Sequence, residues 1–310
     1  MALFDRLTNL IAVGVAVSSA LPIAARAWWV FELFTHFRLQ YVALLAIAML
    51  VFIARRRWRA SVAVLPFMIF SVWAILDSRA TAPATAAQTA GITILNTNVN
   101  SANTAYDRLV SHIVAQSPDI AVLVEINDDW RRALRELESL YPYRVERTEE
   151  SKFGIVLLSR LPLLDTAIRD LRGTPAALAT VQIEGRPLRI VAAHFRPPES
   201  RRWSADRNAQ LDELGRWIAG ETTAVVAVGD FNITAFSPIF SDWLDEHGLI
   251  AAAQSRPLSV SWPAFLPLLG ILIDHYVVTD ELVIGDYSRG PPIGSDHYPL
   301  LATIRLRGRE

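Results

Sequence analysis

Eight polar residues stand where an apolar core would reject them. Asn98 follows "ILNT", Glu125 follows "AVLV", His194 follows "IVAA", and Asp230 and Asn232 follow or close "VVAVG". Asp274 follows "ILI", and Asp296 and His297 sit in "GSDHYPL", just ahead of a last apolar run. A carboxylate buried without a partner is costly, and the usual remedies are a hydrogen-bonding neighbour or a metal. If these positions meet at one edge of a packed sheet, they form a pocket of carboxylates, amides and two histidines. Every donor is oxygen or imidazole, because the chain has no cysteine. Such a set suits a hard divalent cation, Mg²⁺ or Mn²⁺. No Ser or Cys nucleophile stands in a recognisable motif.

Taken singly, each residue has a structural explanation. Glu125 can cap a helix, "GDFN" can be an ordinary turn, and His194 can be a packed core histidine. Their recurrence at the ends of apolar runs is what points to a site. His275 reads as the structural neighbour of Asp274. His36, His112 and His247 lack an acidic strand-end context and receive no role.

The elements that must carry these residues follow from hydrophobic periodicity. "GITILNTNV", "DIAVLVE", 154–159, 177–183, 188–194, "TAVVAVGD", "LIDHYVVT" and "LLATIRL" read as strands, several apolar on both faces and hence buried. Helices are expected over 103–116, over 128–141 through Trp130, Ala133, Leu134, Leu137 and Tyr141, and over 201–219. Helices interleave with strands early and strands dominate later, which implies sheets packed face to face with helices outside.

The N-terminal part has another solvent. Of 310 residues, 52% are hydrophobic, and three apolar runs precede residue 80: Leu7–Ala25, Leu39–Ala54 and Ala60–Leu76. Eight Arg face three acids before residue 91, whereas 22 basic residues face 28 acidic ones after it. The runs are expected to be about three transmembrane helices within a membrane region, 1–76, the second and third short for a crossing of about 20 residues. The "RRRWR" cluster at 55–59 is expected to stay cytoplasmic. That places the remainder on the extracytoplasmic, periplasmic side of an inner membrane. "PIAARA" at 22–27 leaves cleavage after the first run open without changing that destination. Residues 77–90 read as a polar, proline-containing linker, and 91–310 as the catalytic domain.

The ordered set "TNVN", "LVE", "AAHFRPP", "GDFN", "IDHYVV" and "SDHYPL", together with "GIVLLSRLPL", resembles the endonuclease/exonuclease/phosphatase superfamily over about residues 91–306. The resemblance implies a four-layer α/β sandwich and metal-dependent phosphoester hydrolysis. It implies Glu125 as principal metal ligand, supported by Asn98 and Asp296. His194 would contact phosphate, Asp230 and Asn232 would position water and a phosphate oxygen, and Asp274 would orient the catalytic His297. Asn100 stands where some nuclease branches have an acid, and Gly154 where many members carry Asn.

For substrate, the region after residue 90 is net acidic and its only lysine is Lys152. Sequence-independent nucleic-acid binding draws mainly on Lys and Arg, so a nuclease is disfavoured. Arg196, Arg201, Arg202 and Arg207 follow His194 and form a candidate anionic clamp. The expectation is a membrane-tethered phosphodiesterase acting on lipid headgroups or other envelope phosphoesters. An extracytoplasmic nuclease and a non-catalytic phospho-ligand sensor remain the alternatives.

Overall fold

A computed structural model describes residues 2–78, 91–255 and 259–308. Of the expected linker at 77–90, residues 79–90 lie outside the described residues. The chain divides into two compact units: Met1–Ala80 with Ile233–Asp242, and Thr81–Asn232 with Trp243–Glu310.

The first unit is helical. It contains α1 (Ala2–Ala20), the short α2 (Trp29–Leu33), α3 (Arg38–Ala54) and α4 (Trp58–Asp77). Ala12, Ala16, Leu45, Ala48, Phe52 and Val64 form its core. The small residues let helices approach closely, as in membrane bundles. Leu10, Ile47, Leu50, Val62 and Ile69 point outward and are mostly exposed. Among the described residues, three continuous helical stretches are long and apolar enough to cross a membrane: Leu3–Ala24, Trp29–Ala54 and Trp58–Asp77. The second and third are longer than the apolar runs alone, because Trp29–Phe37 and Trp58–Arg59 continue the helices past them.

The second unit holds two six-stranded mixed sheets. The strands are β1 (Gly91–Asn98), β2 (Ile120–Val124), β3 (Tyr143–Arg147), β4 (Ile155–Ser159), β5 (Leu164–Asp170), β6 (Pro175–Ile183), β7 (Arg186–His194), β8 (Ala224–Asp230), β9 (Ile250–Ala251), β10 (Asp274–Val278), β11 (Leu282–Arg289) and β12 (Leu300–Leu306). One sheet runs β11-β12-β1-β2-β4-β3 and the other β5-β6-β7-β8-β10-β9. β1, β2 and β4 face β6, β7 and β8. Their facing side chains account for the strands that are buried along their whole length. Tyr276 on β10 ties the sheets together: its hydroxyl donates within reach of the carbonyls of Ile94 (2.9 Å) and Leu300 (2.8 Å).

Helices α5 (Tyr106–Gln116) and α6 (Asp128–Ala133) cover the first sheet, and α7 (Arg201–Ala219) and α8 (Pro238–His247) follow later in the chain. Leu109, Ile113, Trp130, Leu134 and Leu137 join Leu95, Leu123 and Val156 in one buried cluster. The helix expected over 128–141 is shorter: α6 passes at Leu134 into a 3₁₀ turn that ends at Leu137. Tyr141 nevertheless lands in the core and donates its hydroxyl to the Pro118 carbonyl at 2.8 Å.

Candidate active site

Strand register builds the site. His194 lies opposite Asp230 on parallel β7 and β8, and Asp274 lies opposite Asp230 on antiparallel β10. Three ionisable side chains thus share one cross-strand row at the same end of the second sheet. In the first sheet Asn98 lies opposite Val124, so Glu125 emerges just beyond it. The residue after β2 turns sharply: Glu125 has φ 65°, in the left-handed region. Asn232 has φ 51°. Such backbones are uncommon and cluster where function demands them.

Asn98 joins the two sheets. Its Nδ2 donates to Oε1 of Glu125 at 3.0 Å and to Oδ2 of Asp230 at 3.2 Å. Oε2 of Glu125 accepts the Ser101 N–H at 3.1 Å. His297 Nδ1 donates to Oδ2 of Asp274 at 2.8 Å, leaving Nε2 3.7 Å from Oδ2 of Asp230. His194 Nδ1 donates to the Lys152 carbonyl at 2.8 Å, and its Nε2 lies 3.5 Å from the same Asp230 oxygen. Asp230 is therefore the hub, with an amide and two imidazoles aimed at one carboxylate oxygen. Its other oxygen accepts the Asn232 N–H at 3.0 Å. Asn232 Nδ2 donates to the Phe195 carbonyl at 2.9 Å.

Burial and the neighbouring Asp274 push the Asp230 carboxyl up to about 6, against the pull of His297 and His194. Burial by itself lowers His297, but Asp274 and Asp230 more than reverse this, and its pKa is raised to about 9. Burial alone would raise Asp296. His297 and the donors Asn100 and Trp262 instead hold it below the usual carboxylate range.

Hard oxygen donors of the kind a divalent cation takes meet here, with Oε1 of Glu125 and Oδ2 of Asp230 sharing the Asn98 amide. Asp230, Asp274 and His297 each offer a ligand atom, and these atoms lie within 4.8 Å of one another. Oδ1 of Asp274 is buried without a hydrogen-bond partner, an acceptor left for a cation, a water or a proton donor on substrate. Buried Glu125 adds a fourth carboxylic or imidazole group, reached through Asn98.

Residues 95–297 match the sequence profile of the Endonuclease/Exonuclease/phosphatase family. The chain belongs to that family. No curated protein sequence matches it. Solved structures similar to this endonuclease/exonuclease/phosphatase chain include an endonuclease/exonuclease/phosphatase from Beutenbergia cavernae (TM-score 0.60, 18% identity, 70% of this chain and 72% of that one). D. rerio TDP2 complexed with a single-strand DNA product is also similar (0.58, 16%, 70% and 100%). So is sphingomyelinase C from Streptomyces griseocarneus (0.52, 16%, 69% and 99%). At these identities they show the fold, a two-sheet sandwich flanked by helices.

One departure from the family pattern has a steric cause. A Cβ at Gly154 would sit 1.8 Å from the Ile126 carbonyl oxygen, so no side chain fits beside the turn that carries Glu125. The other, Asn100, does visible work. Its Nδ2 donates to Oδ1 of Asp296 at 2.9 Å, while Trp262 Nε1 donates to Oδ2 at 3.0 Å. Ser295 Oγ donates to the Asn98 carbonyl at 2.8 Å and accepts the His297 N–H at 3.0 Å. Ser261 Oγ accepts the N–H of Asp274 at 3.2 Å. Sequence reading missed Ser261, Trp262 and Ser295 as supports. Only the hydroxyl beside "DH" carried a local signal.

The arginines divide. Arg196 is clamped beside the site, its guanidinium 5.2 Å from the Phe153 ring and 5.5 Å from Trp203, and Phe153 packs 5.2 Å from His194. Arg201 and Arg202 open α7, and Arg202's side chain is 88% exposed. Arg207, expected at the rim, is instead fully buried and donates to the Asn232 carbonyl at 3.1 Å. Its position on α7, one turn past Trp203, turns it inward toward the site's backbone.

Proposed function

We propose that this chain is a membrane-tethered, divalent-metal-dependent phosphodiesterase acting on lipid headgroups or other envelope phosphoesters. The observation that carries this reading is the His297–Asp274 pair at 2.8 Å, set against Asp230 and joined through Asn98 to Glu125. Glu125, with Asn98 and Asp296 beside it, would hold Mg²⁺ or Mn²⁺. The bound cation supplies Lewis-acid polarisation of a phosphoryl oxygen and offsets charge on the leaving oxygen.

The chain's own groups account for the remaining steps. Asp230, as carboxylate, orients a water and takes its proton at Oδ2. His297 is protonated at neutral pH by virtue of its carboxylate neighbours. It stabilises the negative charge that builds on phosphorus oxygens, or passes a proton from Nε2 to the leaving oxygen. Asp274 keeps the ring in that orientation. Asn232 and His194 donate to the equatorial oxygens, and such preorganised donors are worth about 2.7–4 kcal/mol each on removal. Arg196, Arg201 and Arg202 lie along the stretch after His194, where a substrate anion would gain from forked donors.

Two features support a lipid over nucleic acid: the acidic balance after residue 90 and the three apolar helices ahead of it. With "RRRWR" retained in the cytoplasm, the catalytic unit lies on the periplasmic side of the inner membrane. The test is hydrolysis by the full chain in detergent, with Mg²⁺ or Mn²⁺, of bis-p-nitrophenyl phosphate, phospholipids and DNA. Turnover of lipid but not DNA is the expected result. Preferred cleavage of DNA overturns the substrate class, and binding across the panel without turnover overturns the enzyme reading.

A further inference from the structure

A cavity of about 260 Å³, lined by both charged and aromatic residues, lies wholly within the helical unit. Arg26, Arg38, Phe70, Trp73, Asp77 and Ser241 are among its lining residues. Arg38 is only 4% exposed. Its Nη1 donates to the Ser19 carbonyl at 3.0 Å, its guanidinium stacks 4.7 Å over the Phe70 ring, and its Nε is buried without a hydrogen-bond partner. Among the described residues no carboxylate pairs with it, whereas Arg26 is held by both oxygens of Asp242 at 2.7 Å. A buried guanidinium without a paired carboxylate is expensive, and a buried charge in a membrane bundle is by default the mark of a functional site.

The level of this cavity is set by helix geometry. Arg55 pairs with Asp5 at 3.6 Å, so α1 and α3 share one end at the "RRRWR" turn. Arg38 lies 17 residues from Arg55 along α3, and Asp77 lies 19 residues from Trp58 along α4. At 1.5 Å per residue each is about 25–28 Å from that turn. A hydrocarbon core is about 30 Å thick, so both charges stand at the opposite headgroup boundary. Phe70, Trp73 and Asp77 are spaced to share one face of α4.

The charges match one ligand class. Arg38 is the open cation and Asp77 the carboxylate, with Arg26 and Asp242 already paired. A free phosphate would meet Asp77 as well as Arg38. A phosphate linked to an amine satisfies both, and aromatic rings beside the amine add cation–π attraction. We propose that the cavity holds the headgroup of a zwitterionic phospholipid, its phosphate on Arg38 and its amine toward Asp77. The volume is just below the roughly 300 Å³ lower bound for drug-sized ligand sites, and so fits a headgroup whose chains remain in the bilayer. The inference rests on the helical unit being embedded in a membrane, not on the catalytic reading.

Full-length protein, extracted from membranes in mild detergent, tests this by native mass spectrometry after exchange into nanodiscs of mixed phosphatidylethanolamine and phosphatidylglycerol. One phosphatidylethanolamine per chain is expected to persist. Arg38→Gln is expected to cut that occupancy at least about tenfold (about 1.4 kcal/mol), and Asp77→Asn to shift retention toward phosphatidylglycerol. Equal retention by wild type and both variants overturns the site, as does wild type that retains no lipid. Displacement by inorganic phosphate as readily as by phosphoethanolamine overturns the headgroup in favour of a free anion. If Arg38→Gln loses helix content by circular dichroism, Arg38→Lys and Asp77→Asn decide, and unchanged lipid preference in both overturns the proposal. Release of the chain by alkaline carbonate would instead overturn the membrane placement itself, a separate failure.

Discussion

His297 and Asp274 share a 2.8 Å hydrogen bond, both nearly fully buried, although 23 positions separate them in the chain. The bond fixes which imidazole nitrogen faces Asp230. It also places a positive ring between two carboxylates, which is why the His297 proton is held so firmly.

Asp274→Asn is expected to lower the His297 pKa from about 9, because an amide offers no negative charge. A raised histidine pKa favours the protonated ring, so activity that needs this proton is lost as pH rises through it. The alkaline limb of kcat/KM against pH should move toward acid by about one unit or more. An unmoved limb with a uniformly lower rate would mean that Asp274 only supports the fold.

Replacing His297 by Ala is expected to cost at least about a hundredfold in kcat on a phosphodiester, in line with removal of one preorganised donor. Circular dichroism should show the fold retained. Near-normal turnover would remove His297 from the mechanism.

Asp230→Asn is expected to separate activity from stability. The Asp230 carboxyl is raised to about 6, so its neutral form is the one the fold favours. That favourable contribution is complete below the unfolded-state value near 3.9 and is lost as pH rises through 6. Asn removes the penalty of the buried charge at neutral pH. The metal-free variant should therefore unfold at a higher temperature than wild type at pH 7.5, while its kcat falls at least about a hundredfold. The stability gain should vanish near pH 4. A variant less stable than wild type at pH 7.5 would contradict this.

Chelation with EDTA is expected to abolish turnover, and added Mg²⁺ or Mn²⁺ to restore it. Glu125→Gln should raise the metal concentration needed for half-activity by about tenfold or more, as loss of a ligand charge weakens a hard-cation site. Activity in EDTA indistinguishable from that in Mg²⁺ would exclude a metal-assisted reaction.

Gly154→Asn is expected to destabilise the sandwich by about 2–4 kcal/mol. The new Cβ has the Ile126 carbonyl oxygen at 1.8 Å and the Glu149 nitrogen at 2.9 Å. Unchanged thermal unfolding would show that the Glu125 turn can yield.

The sequence by itself determined the catalogue of strand-end residues and the apolar helices. Each buried strand is a nearly unbroken apolar run, and a polar group that closes such a run stands out against it. Asn98, Glu125, His194, Asp230 and Asp274 were legible for that reason, and the three apolar helices were legible from length and composition. Strands β3, β5 and β11 were not. They lie at sheet edges, half exposed, and their mixed polar pattern carries no buried run. What only the tertiary structure decided is which groups face each other. Register put His194 and Asp274 on either side of Asp230, inter-sheet packing brought Asn98 between Glu125 and Asp230, and long-range contacts supplied Trp262 to Asp296 and Ser19 to Arg38. A local pattern records whether a side chain is buried, because burial selects residue type at that position. It does not record the partner, because hydrogen bonds and ion pairs depend on distances between positions that only folding makes short.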